Sequence, residues 1–243
     1  MQRLKGKAVL ITGGARRIGR AIALGMAGAG AGVAITYRTS QREASRTLAD
    51  LGALGCNGLS LYCDLEDPRS IKVAVKQVVR EFGGLDILVN NAGQYETMDF
   101  EKITPQQWDG IFAANVRGPF LMTQAAAPHL RRRSGKIINL GSLGGMRPWA
   151  THAHYCSSKA GLHMLTQVSA KALAPEIAVN CVAPGMIQMS ARPTNAERKL
   201  AGKSPMRRSG AAEDVVEAVM FFASATHFIT GQVLAVDGGL ELA

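Results

Sequence analysis

The chain has 243 residues, of which 47% are hydrophobic and 19% are charged, and its formal net charge is +10 at pH 7. This length and composition fit one α/β domain with a sizeable core and exclude a disordered chain. The basic residues are dispersed, and no aromatic platform or recognition-helix motif accompanies them, so nucleic acid is not expected as a partner. No apolar run approaches the roughly 20 residues of a membrane span, so a membrane is not expected either.

Short apolar strands alternate with amphipathic segments of helical length along the chain. We predict strands at Ala8–Ile11, Val33–Tyr37, Gly58–Cys63, Ile87–Asn90, Lys136–Leu140, Ala178–Ala183 and Val233–Val236. We predict helices at Ile18–Gly28, Arg42–Leu54, Ser70–Phe82, Pro105–Arg132, Ala153–Ala174 and Glu213–Ala223. The alternation predicts a doubly wound parallel sheet with helices on both faces. The long irregular segment from 186 to 210 is interpreted as a lid over a site.

A glycine turn follows the first predicted strand. Gly13 and Gly14 come directly after Thr12, and Gly19 lies at the start of the next helix. A turn of this kind brings backbone N–H groups and the positive end of the helix dipole to a phosphate or pyrophosphate. The spacing is not the standard G-x-G-x-x-G, and a glycine turn alone is weak evidence, because any tight connection can use one.

The second predicted strand ends without the acidic residue that would bind a ribose 2′-hydroxyl. Arg38, Thr39 and Ser40 follow the strand instead, and Arg16 and Arg17 lie in the glycine turn. A carboxylate would repel a 2′-phosphate, whereas an arginine and two hydroxyls bind it. The sequence therefore favours NADPH over NADH.

Tyr155 and Lys159 are four residues apart on a predicted helix, so they share one face of it. An ammonium beside a phenol favours the phenolate and lowers the phenol pKa from its usual value of about 10. Such a pair can serve as the general acid for a carbonyl that is being reduced. Ser142 follows the fifth strand and can donate a hydrogen bond to the developing alkoxide. Asn115, in an otherwise apolar helix, is a candidate to hold a water that links Lys159 to solvent.

These residues stand in the order and spacing of the short-chain dehydrogenase/reductases, which the chain resembles over essentially its whole length. The motifs that carry the resemblance are Thr12-Gly13, Asn90-Asn91-Ala92-Gly93, Asn115, Ser142, Tyr155-x3-Lys159 and Pro184-Gly185. The resemblance implies a single-domain Rossmann fold over residues 1–243, the strand order 3-2-1-4-5-6-7, bound NADP(H) and frequent homotetramers.

The resemblance also implies roles for individual residues. Tyr155 is expected to be the catalytic acid/base, Lys159 to bind the nicotinamide ribose and Ser142 to orient the substrate carbonyl. Asn115 is expected to maintain a proton-relay water, and Asp64 to contact the adenine. The expected cofactor contacts are Gly13, Arg16, Arg17, Ile18, Gly19, Arg38, Thr39, Ser40, Asp64, Leu65, Asn91, Ala92, Gly93, Tyr155, Lys159, Pro184, Gly185 and Ile187.

One departure from the family pattern leaves the substrate open. Arg17 occupies the middle glycine of the usual TGxxxGxG turn, which is familiar in the family's pteridine reductases, whereas Ser142 is the ordinary choice of its carbonyl reductases. The leading hypothesis is an NADPH-dependent reductase of a small-molecule carbonyl, resembling the 3-oxoacyl-carrier-protein reductases. The alternatives are a pteridine reductase and an NADPH-sensing protein without catalysis. The basic residues of the lid, which could attract an acidic carrier protein, are Lys199, Lys203, Arg207 and Arg208.

Further residues are expected at the mouth of the site. Trp149 and Tyr95 suit either packing or stacking on a flat pterin ring, and His152 and His154 lack the additional ligands of a metal site. The four cysteines have neither CxxC nor zinc spacing and no signal peptide is evident, which favours reduced thiols and a cytoplasmic location. The full set expected at the mouth is Gln94, Tyr95, Leu143, Trp149, His152, Met186 and Met189.

Overall fold

Seven parallel strands form one sheet at the centre of the computed structural model, which describes residues 3–189 and 195–243. The order along the sheet is β3-β2-β1-β4-β5-β6-β7, which confirms the expected topology. The predicted strands are confirmed, and every boundary lies within one residue of its predicted position. The strands are β1 Ala8–Ile11, β2 Gly32–Tyr37, β3 Gly58–Tyr62, β4 Ile87–Asn90, β5 Lys136–Leu140, β6 Ala178–Pro184 and β7 Val233–Val236.

Helices cover both faces of this sheet because successive strand residues point to opposite sides. The helices are α1 Arg17–Gly28, α2 Gln41–Ala53, α3 Pro68–Phe82, α4 Pro105–Phe112, α5 Gly118–Arg131, α6 Ala153–Leu173, α7 Asn195–Ala201 and α8 Ala212–Ser224. Val9 and Ile11 pack with α1, α2 and α8, whereas Leu10 packs with α3, α5 and α6.

The helix predicted over Pro105–Arg132 is not continuous. A π-helical turn, Ala113–Arg117, separates α4 from α5, and the N–H of Gly118 bonds the Ala113 carbonyl five residues back. Pro119 explains the interruption, because it has no N–H to donate to the carbonyl of Asn115. The prediction of one uninterrupted helix was wrong at this point, and π turns of this kind are frequent at functional sites.

The segment from 186 to 210 contains a helix, α7, that the sequence did not predict. Residues 190–194 of the predicted lid lie outside the described residues. The two ends of the segment are joined by a parallel bridge between Ile187 and Gly210. Further along, the hydroxyl of Ser204 and the N–H of Met206 both donate to the Gly238 carbonyl, at 2.8 and 3.1 Å. The second half of the lid is therefore docked on the C-terminal segment.

Two further features bear on the sequence predictions. No described helix has both the length and the apolar character needed to cross a membrane. All four cysteines are free thiols, with Cys63 and Cys181 buried and Cys56 and Cys156 partly exposed.

Candidate active site

Two adjoining cavities lie at the carboxyl edge of the sheet, where parallel strands deliver their following loops. The larger, about 1140 Å³, is lined by residues that include Ser142, Tyr155, Lys159, Pro184, Gly185 and Ile187. The smaller, about 440 Å³, is lined by residues that include Gly13, Arg16, Arg17, Ile18, Gly19, Arg38, Thr39, Ser40, Leu65, Asn91, Ala92 and Gly93. Arg17, Ile18, Asn91 and Gly93 line both cavities. Asp64 and Asn115 are the two predicted site residues that line neither.

The glycine turn is held tightly against the loop that follows β4. The Asn91 side chain donates to the carbonyls of Thr12 and Gly13, at 2.9 and 3.1 Å. The hydroxyl of Thr12 in turn accepts the backbone N–H groups of Asn91 and Ala92, both at 3.0 Å. A Cβ on Gly19 would lie only 2.3 Å from the Gly13 oxygen. This close packing excludes a side chain at position 19, and it fixes the glycine turn that lines the smaller cavity.

The N-terminus of α1 has no side-chain cap. Arg16 precedes the helix in an extended conformation without a capping hydrogen bond, and no acidic residue lies in the first turn. By contrast, Asp67 caps α3 and Thr104 caps α4. The free N–H groups, the helix dipole and the two neighbouring arginines together make this end of α1 suited to an anion.

Arg17 adopts a backbone conformation that normally favours glycine. Its φ is +52°, in the left-handed region, where a Cβ crowds the following carbonyl. The turn therefore imposes backbone strain on Arg17, at the position where the pattern that the chain resembles has glycine.

We predict that Arg17→Gly is more stable than Arg17→Ala by about 1 kcal/mol, because only glycine relieves the strain while both variants remove the same charge. For a domain of this size the difference corresponds to roughly 2–4 °C in thermal unfolding. Equal melting temperatures for the two variants would contradict the prediction. Arg16→Gly and Arg16→Ala form a matched control pair, since Arg16 has an extended φ of −154° and no such strain.

Arg38 is engaged by two carboxylates. Its guanidinium lies 3.0 Å from Glu66 and 3.7 Å from Asp64, both in the loop after β3. As predicted, no acidic residue lies at the end of β2. The contacts of Arg38 with Asp64 and Glu66 were not predicted, because they arise from the pairing of β2 with β3. A 2′-phosphate has to compete with Glu66 for the Arg38 guanidinium, so Arg38 is less available to a phosphate than the sequence alone predicts.

Tyr155 is buried at the base of the larger cavity among other rings. Tyr95 contacts it edge-on with 5.0 Å between ring centroids, and Trp149 lies nearly parallel to it at 6.2 Å. Burial raises the pKa of Tyr155 to about 12, and its hydrogen bond with the Ser142 side chain acts in the opposite direction. The net shift of the Tyr155 pKa is therefore upward, because desolvation is its largest cause, and the expected lowering of this pKa by Lys159 stays a prediction.

Lys159 is buried one helical turn after Tyr155. Its Nζ donates to the Leu140 carbonyl at 2.8 Å and lies 5.9 Å from the centroid of the Tyr155 ring. Burial lowers the Lys159 pKa to about 8, because the charged ammonium loses solvation. The ammonium is still the main form at neutral pH and remains beside the phenol.

Ser142 directly follows β5, with its side chain fixed. The Oγ accepts the Gly144 N–H at 3.1 Å, at the start of a short 3₁₀ turn. A hydroxyl that accepts one hydrogen bond still has its own proton to donate. Ser142 and Tyr155 line the same cavity, so both hydroxyls are available to a carbonyl oxygen bound there.

Asn115 lies behind the cavity wall in the π turn. Its Oδ1 accepts the Gln94 N–H at 2.8 Å, and its Nδ2 donates to the Gln94 carbonyl at 2.9 Å and to the Ser158 hydroxyl at 3.0 Å. Because both amide hydrogens are used, the side chain ties the loop after β4 to α6. The contacts of this side chain are therefore ones of positioning, and the expectation that Asn115 maintains a relay water stays a prediction.

The two histidines near the mouth are bound to neighbouring side chains. His152 contacts the Tyr95 hydroxyl at 2.7 Å and two threonines at 3.0 Å, and burial lowers its pKa. His154 is fully buried, with its Nε2 3.4 Å from Glu96. Within residues 3–189 and 195–243, no group of three or more His, Cys, Asp or Glu side chains could hold a metal ion.

A glycine turn suited to a phosphate lies beside the cavity that contains Ser142, Tyr155 and Lys159. Together with the fold, this arrangement defines a nucleotide-dependent oxidoreductase. A family model described as enoyl-(acyl carrier protein) reductase matches residues 13–241. The chain is 37% identical over 242 residues to a 3-oxoacyl-[acyl-carrier-protein] reductase of Staphylococcus aureus, covering 97% of this chain and 98% of that protein.

Solved structures are similarly close. A short-chain dehydrogenase of Burkholderia cenocepacia in complex with NADP matches with a TM-score of 0.93 and 38% identity, over 98% of this chain and 99% of that chain. A double mutant of a Serratia marcescens short-chain dehydrogenase/reductase matches with a TM-score of 0.94 and 35% identity, with the same coverage. The chain belongs to the short-chain dehydrogenase/reductase family.

Proposed function

We propose that the protein is an NADPH-dependent reductase of a small-molecule carbonyl, with a 3-oxoacyl thioester as the leading substrate. The observation that carries this proposal is the convergence of Ser142, Tyr155 and Lys159 in one cavity beside the glycine turn. The similarity to a 3-oxoacyl-[acyl-carrier-protein] reductase supports the substrate class.

NADP(H) fits the residues of the smaller cavity. The uncapped start of α1 suits the pyrophosphate, and Arg38, Thr39 and Ser40 suit a 2′-phosphate. Gly93 is required at the junction of the cavities, since a Cβ there would lie 2.9 Å from the Asn115 Oδ1. The similar Burkholderia cenocepacia structure, a complex with NADP, supports the same cofactor here.

The chemistry assigns one task to each side chain. NADPH, when bound, supplies the hydride that adds to the carbonyl carbon. The Ser142 hydroxyl donates a hydrogen bond to the carbonyl oxygen and orients it. Tyr155 transfers its phenolic proton to that oxygen, so the product is an alcohol, and the Lys159 ammonium stabilises the phenolate left behind. The phenol of Tyr155 is protonated at neutral pH, the form that a proton donor needs, because its pKa lies well above 7.

Reprotonation of Tyr155 requires a route from solvent past Lys159. The main-chain oxygen of Asn115 is our candidate to hold the relay water, because Pro119 removes its helical hydrogen-bond donor. The side chain of Asn115 supports this arrangement indirectly by fixing the π turn against α6.

A pteridine reductase is the second candidate. Arg17 in the glycine turn favours it, together with the exposed Tyr95 and the nearby Trp149, which can flank a flat ring. Enoyl reduction, the reduction of a C=C bond, is a further candidate, because the family model that matches the chain is described as an enoyl-(acyl carrier protein) reductase. The Ser142 hydroxyl, available as a donor to a carbonyl oxygen, supports carbonyl reduction over both.

Steady-state oxidation of NADPH tests these candidates in parallel. The substrates are acetoacetyl thioester on coenzyme A and on acyl carrier protein, a simple ketone, dihydrobiopterin and crotonyl thioester. We expect the acetoacetyl thioesters to give the highest kcat/KM. A preference for dihydrobiopterin or crotonyl thioester would replace the proposed substrate, and NADPH binding without any turnover would favour a sensor.

Arg38→Ala is expected to weaken NADPH binding about tenfold, because a charged hydrogen bond to the 2′-phosphate contributes roughly 1.5 kcal/mol. Binding of NADH should change less than twofold. The matched variant Glu66→Gln should act in the opposite direction and tighten NADPH binding two- to threefold, at about 0.5 kcal/mol. Fluorescence titration of both cofactors measures these changes, and an equal loss for NADPH and NADH in Arg38→Ala would contradict the assignment.

The proposal includes a cytoplasmic homotetramer that accepts substrate from an acyl carrier protein. The four free thiols support a reducing compartment. Exposed apolar side chains on α4, α5 and α6 support association between copies, and they are Trp108, Phe120, Met164 and Val168. Of the basic lid residues, Arg208 is bound to Asp214 at 2.7 and 2.8 Å, which leaves Lys199, Lys203 and Arg207 as the better candidates for an acidic carrier.

A further inference from the structure

His163 lies on the same face of α6 as the catalytic pair, one turn beyond Lys159 and two turns beyond Tyr155. The ring is buried, with 8% of the residue exposed. Its Nε2 is 3.4 Å from the backbone nitrogen of Ser142. Because a backbone N–H can only donate, Nε2 carries the lone pair and the imidazole is the neutral tautomer protonated at Nδ1.

The loop that bears Ser142 is shaped around this ring. A Cβ on Gly141 would lie 2.3 Å from the His163 Nε2, and a Cβ on Gly145 would lie 2.6 Å from its Cε1. Neither glycine has a positive φ, so close approach of the ring, rather than backbone conformation, excludes a side chain at these positions. The imidazole therefore fills a slot between the two glycines that flank the Ser142 turn.

Two side chains of α6 hold successive polar groups at the end of β5. Lys159 binds the Leu140 carbonyl at 2.8 Å, and His163 binds the Ser142 N–H. From the other side, the N–H of Gly141 donates to the Val182 carbonyl at 2.8 Å. The backbone that carries Ser142 is thereby fixed relative to the helix that carries Tyr155.

The surroundings of His163 keep it neutral. Burial lowers its pKa to about 4, and the neighbouring Lys159 ammonium acts in the same direction. Cys181, the other titratable group packed against Gly141, has a raised pKa of about 12 and is an uncharged thiol. The lone pair on Nε2 therefore persists throughout the neutral range.

We propose that His163 is a positioning residue for Ser142, whose backbone it holds so that the hydroxyl meets the substrate carbonyl beside Tyr155. The inference rests on the proposed function, since it assumes that Ser142 acts on a carbonyl. No proton passes through His163 in this role, and His163 lines neither of the two cavities. Its effect should appear in kcat, through the geometry of Ser142, and not in the binding of NADPH.

The test compares His163→Leu, which removes the acceptor, with His163→Gln, whose side-chain oxygen can still accept the Ser142 N–H. We expect Leu to lower kcat with acetoacetyl-coenzyme A about tenfold, with the NADPH Kd changed less than twofold, and Gln to restore most of the loss. Gln167→Leu, which removes an exposed polar side chain from the same helix, is the control. Wild-type kcat in His163→Leu, or equal losses with Leu and Gln, would overturn the proposal.

A double-mutant cycle separates positioning from a general structural effect. In a Ser142→Ala background, His163→Leu should change kcat less than twofold, because the hydroxyl it positions is already absent. A further tenfold loss in that background would overturn the proposal.

The tautomer of His163 provides a readout that needs neither a variant nor catalysis. Nitrogen-15 NMR of the wild-type protein between pH 6 and 8 should show a neutral ring protonated at Nδ1. A ring protonated at Nε2, or an imidazolium, would overturn the inference. If the wild type reduces none of the carbonyl substrates, the proposed function fails, and the NMR result still decides whether His163 accepts the Ser142 N–H.

Discussion

Replacing Tyr155 with Phe is expected to lower kcat for carbonyl reduction by roughly 10²–10⁴-fold, the range that a general acid typically contributes. The substitution removes only the hydroxyl, so the ring contacts with Tyr95 and Trp149 persist. The NADPH Kd should change less than about threefold. Steady-state kinetics and fluorescence titration of NADPH separate the two effects.

Tyr62→Phe is the matched control for this prediction. Tyr62 is an exposed tyrosine at the end of β3 and lines neither cavity, so loss of its hydroxyl should leave kcat unchanged. A Tyr155→Phe enzyme that turns over at the wild-type rate would show that another group supplies the proton.

Replacing Lys159 with Met is expected to abolish most turnover and yet to stabilise the fold. The lowered pKa, from 10.5 to about 8, corresponds to a penalty of about 3 kcal/mol for the buried ammonium at neutral pH. Loss of the hydrogen bond to the Leu140 carbonyl offsets about 1 kcal/mol. The net prediction is a free energy of unfolding about 2 kcal/mol higher than that of the wild type, measured by urea denaturation at pH 7.

The pH dependence of this difference has a definite sign. A group whose folded pKa is lowered releases its proton earlier in the folded state, so its penalty falls as pH rises from about 8 to 10.5. Wild-type stability should therefore rise relative to Lys159→Met across that window. A constant difference from pH 7 to pH 10, or a destabilised variant at pH 7, would contradict the burial penalty assigned to Lys159.

The centre of the sheet could be predicted from the sequence because β1, β4 and β6 are short apolar runs buried on both faces. β1 and β4 are buried at every position, and each apolar run is too short for a buried helix. The glycine turn and the Tyr155–Lys159 spacing could be located for a similar reason, since each is local in the chain. Parallel topology then brings such local features to one edge of the sheet.

Features that depend on distant parts of the chain could not be predicted in the same way. The carboxylate of Glu66 reaches Arg38 only through the pairing of β2 with β3. The direction of the Tyr155 pKa shift depends on how deeply the ring is buried, which spacing along a helix does not reveal.

Two other features of the site have signals that are local in the sequence. Pro119 marks the point where the regular helix of α4 and α5 must break. His163 repeats the four-residue spacing from Tyr155 to Lys159, which places a third polar side chain on the same face of α6. The four-residue spacing therefore predicts that His163 lies on the same side of the helix as Tyr155 and Lys159.

Single-turnover reduction of acetoacetyl thioester by the wild-type enzyme and by Tyr155→Phe, each with one equivalent of NADPH, tests the proton-donor assignment most directly. Oxidation of NADPH and formation of the 3-hydroxyacyl product should proceed together in the wild type. In the variant, both should be slowed by at least about 100-fold while NADPH remains bound. Equal rates in the two proteins, or oxidation of NADPH without the hydroxyl product, would contradict the assignment of Tyr155 as the group that protonates the carbonyl.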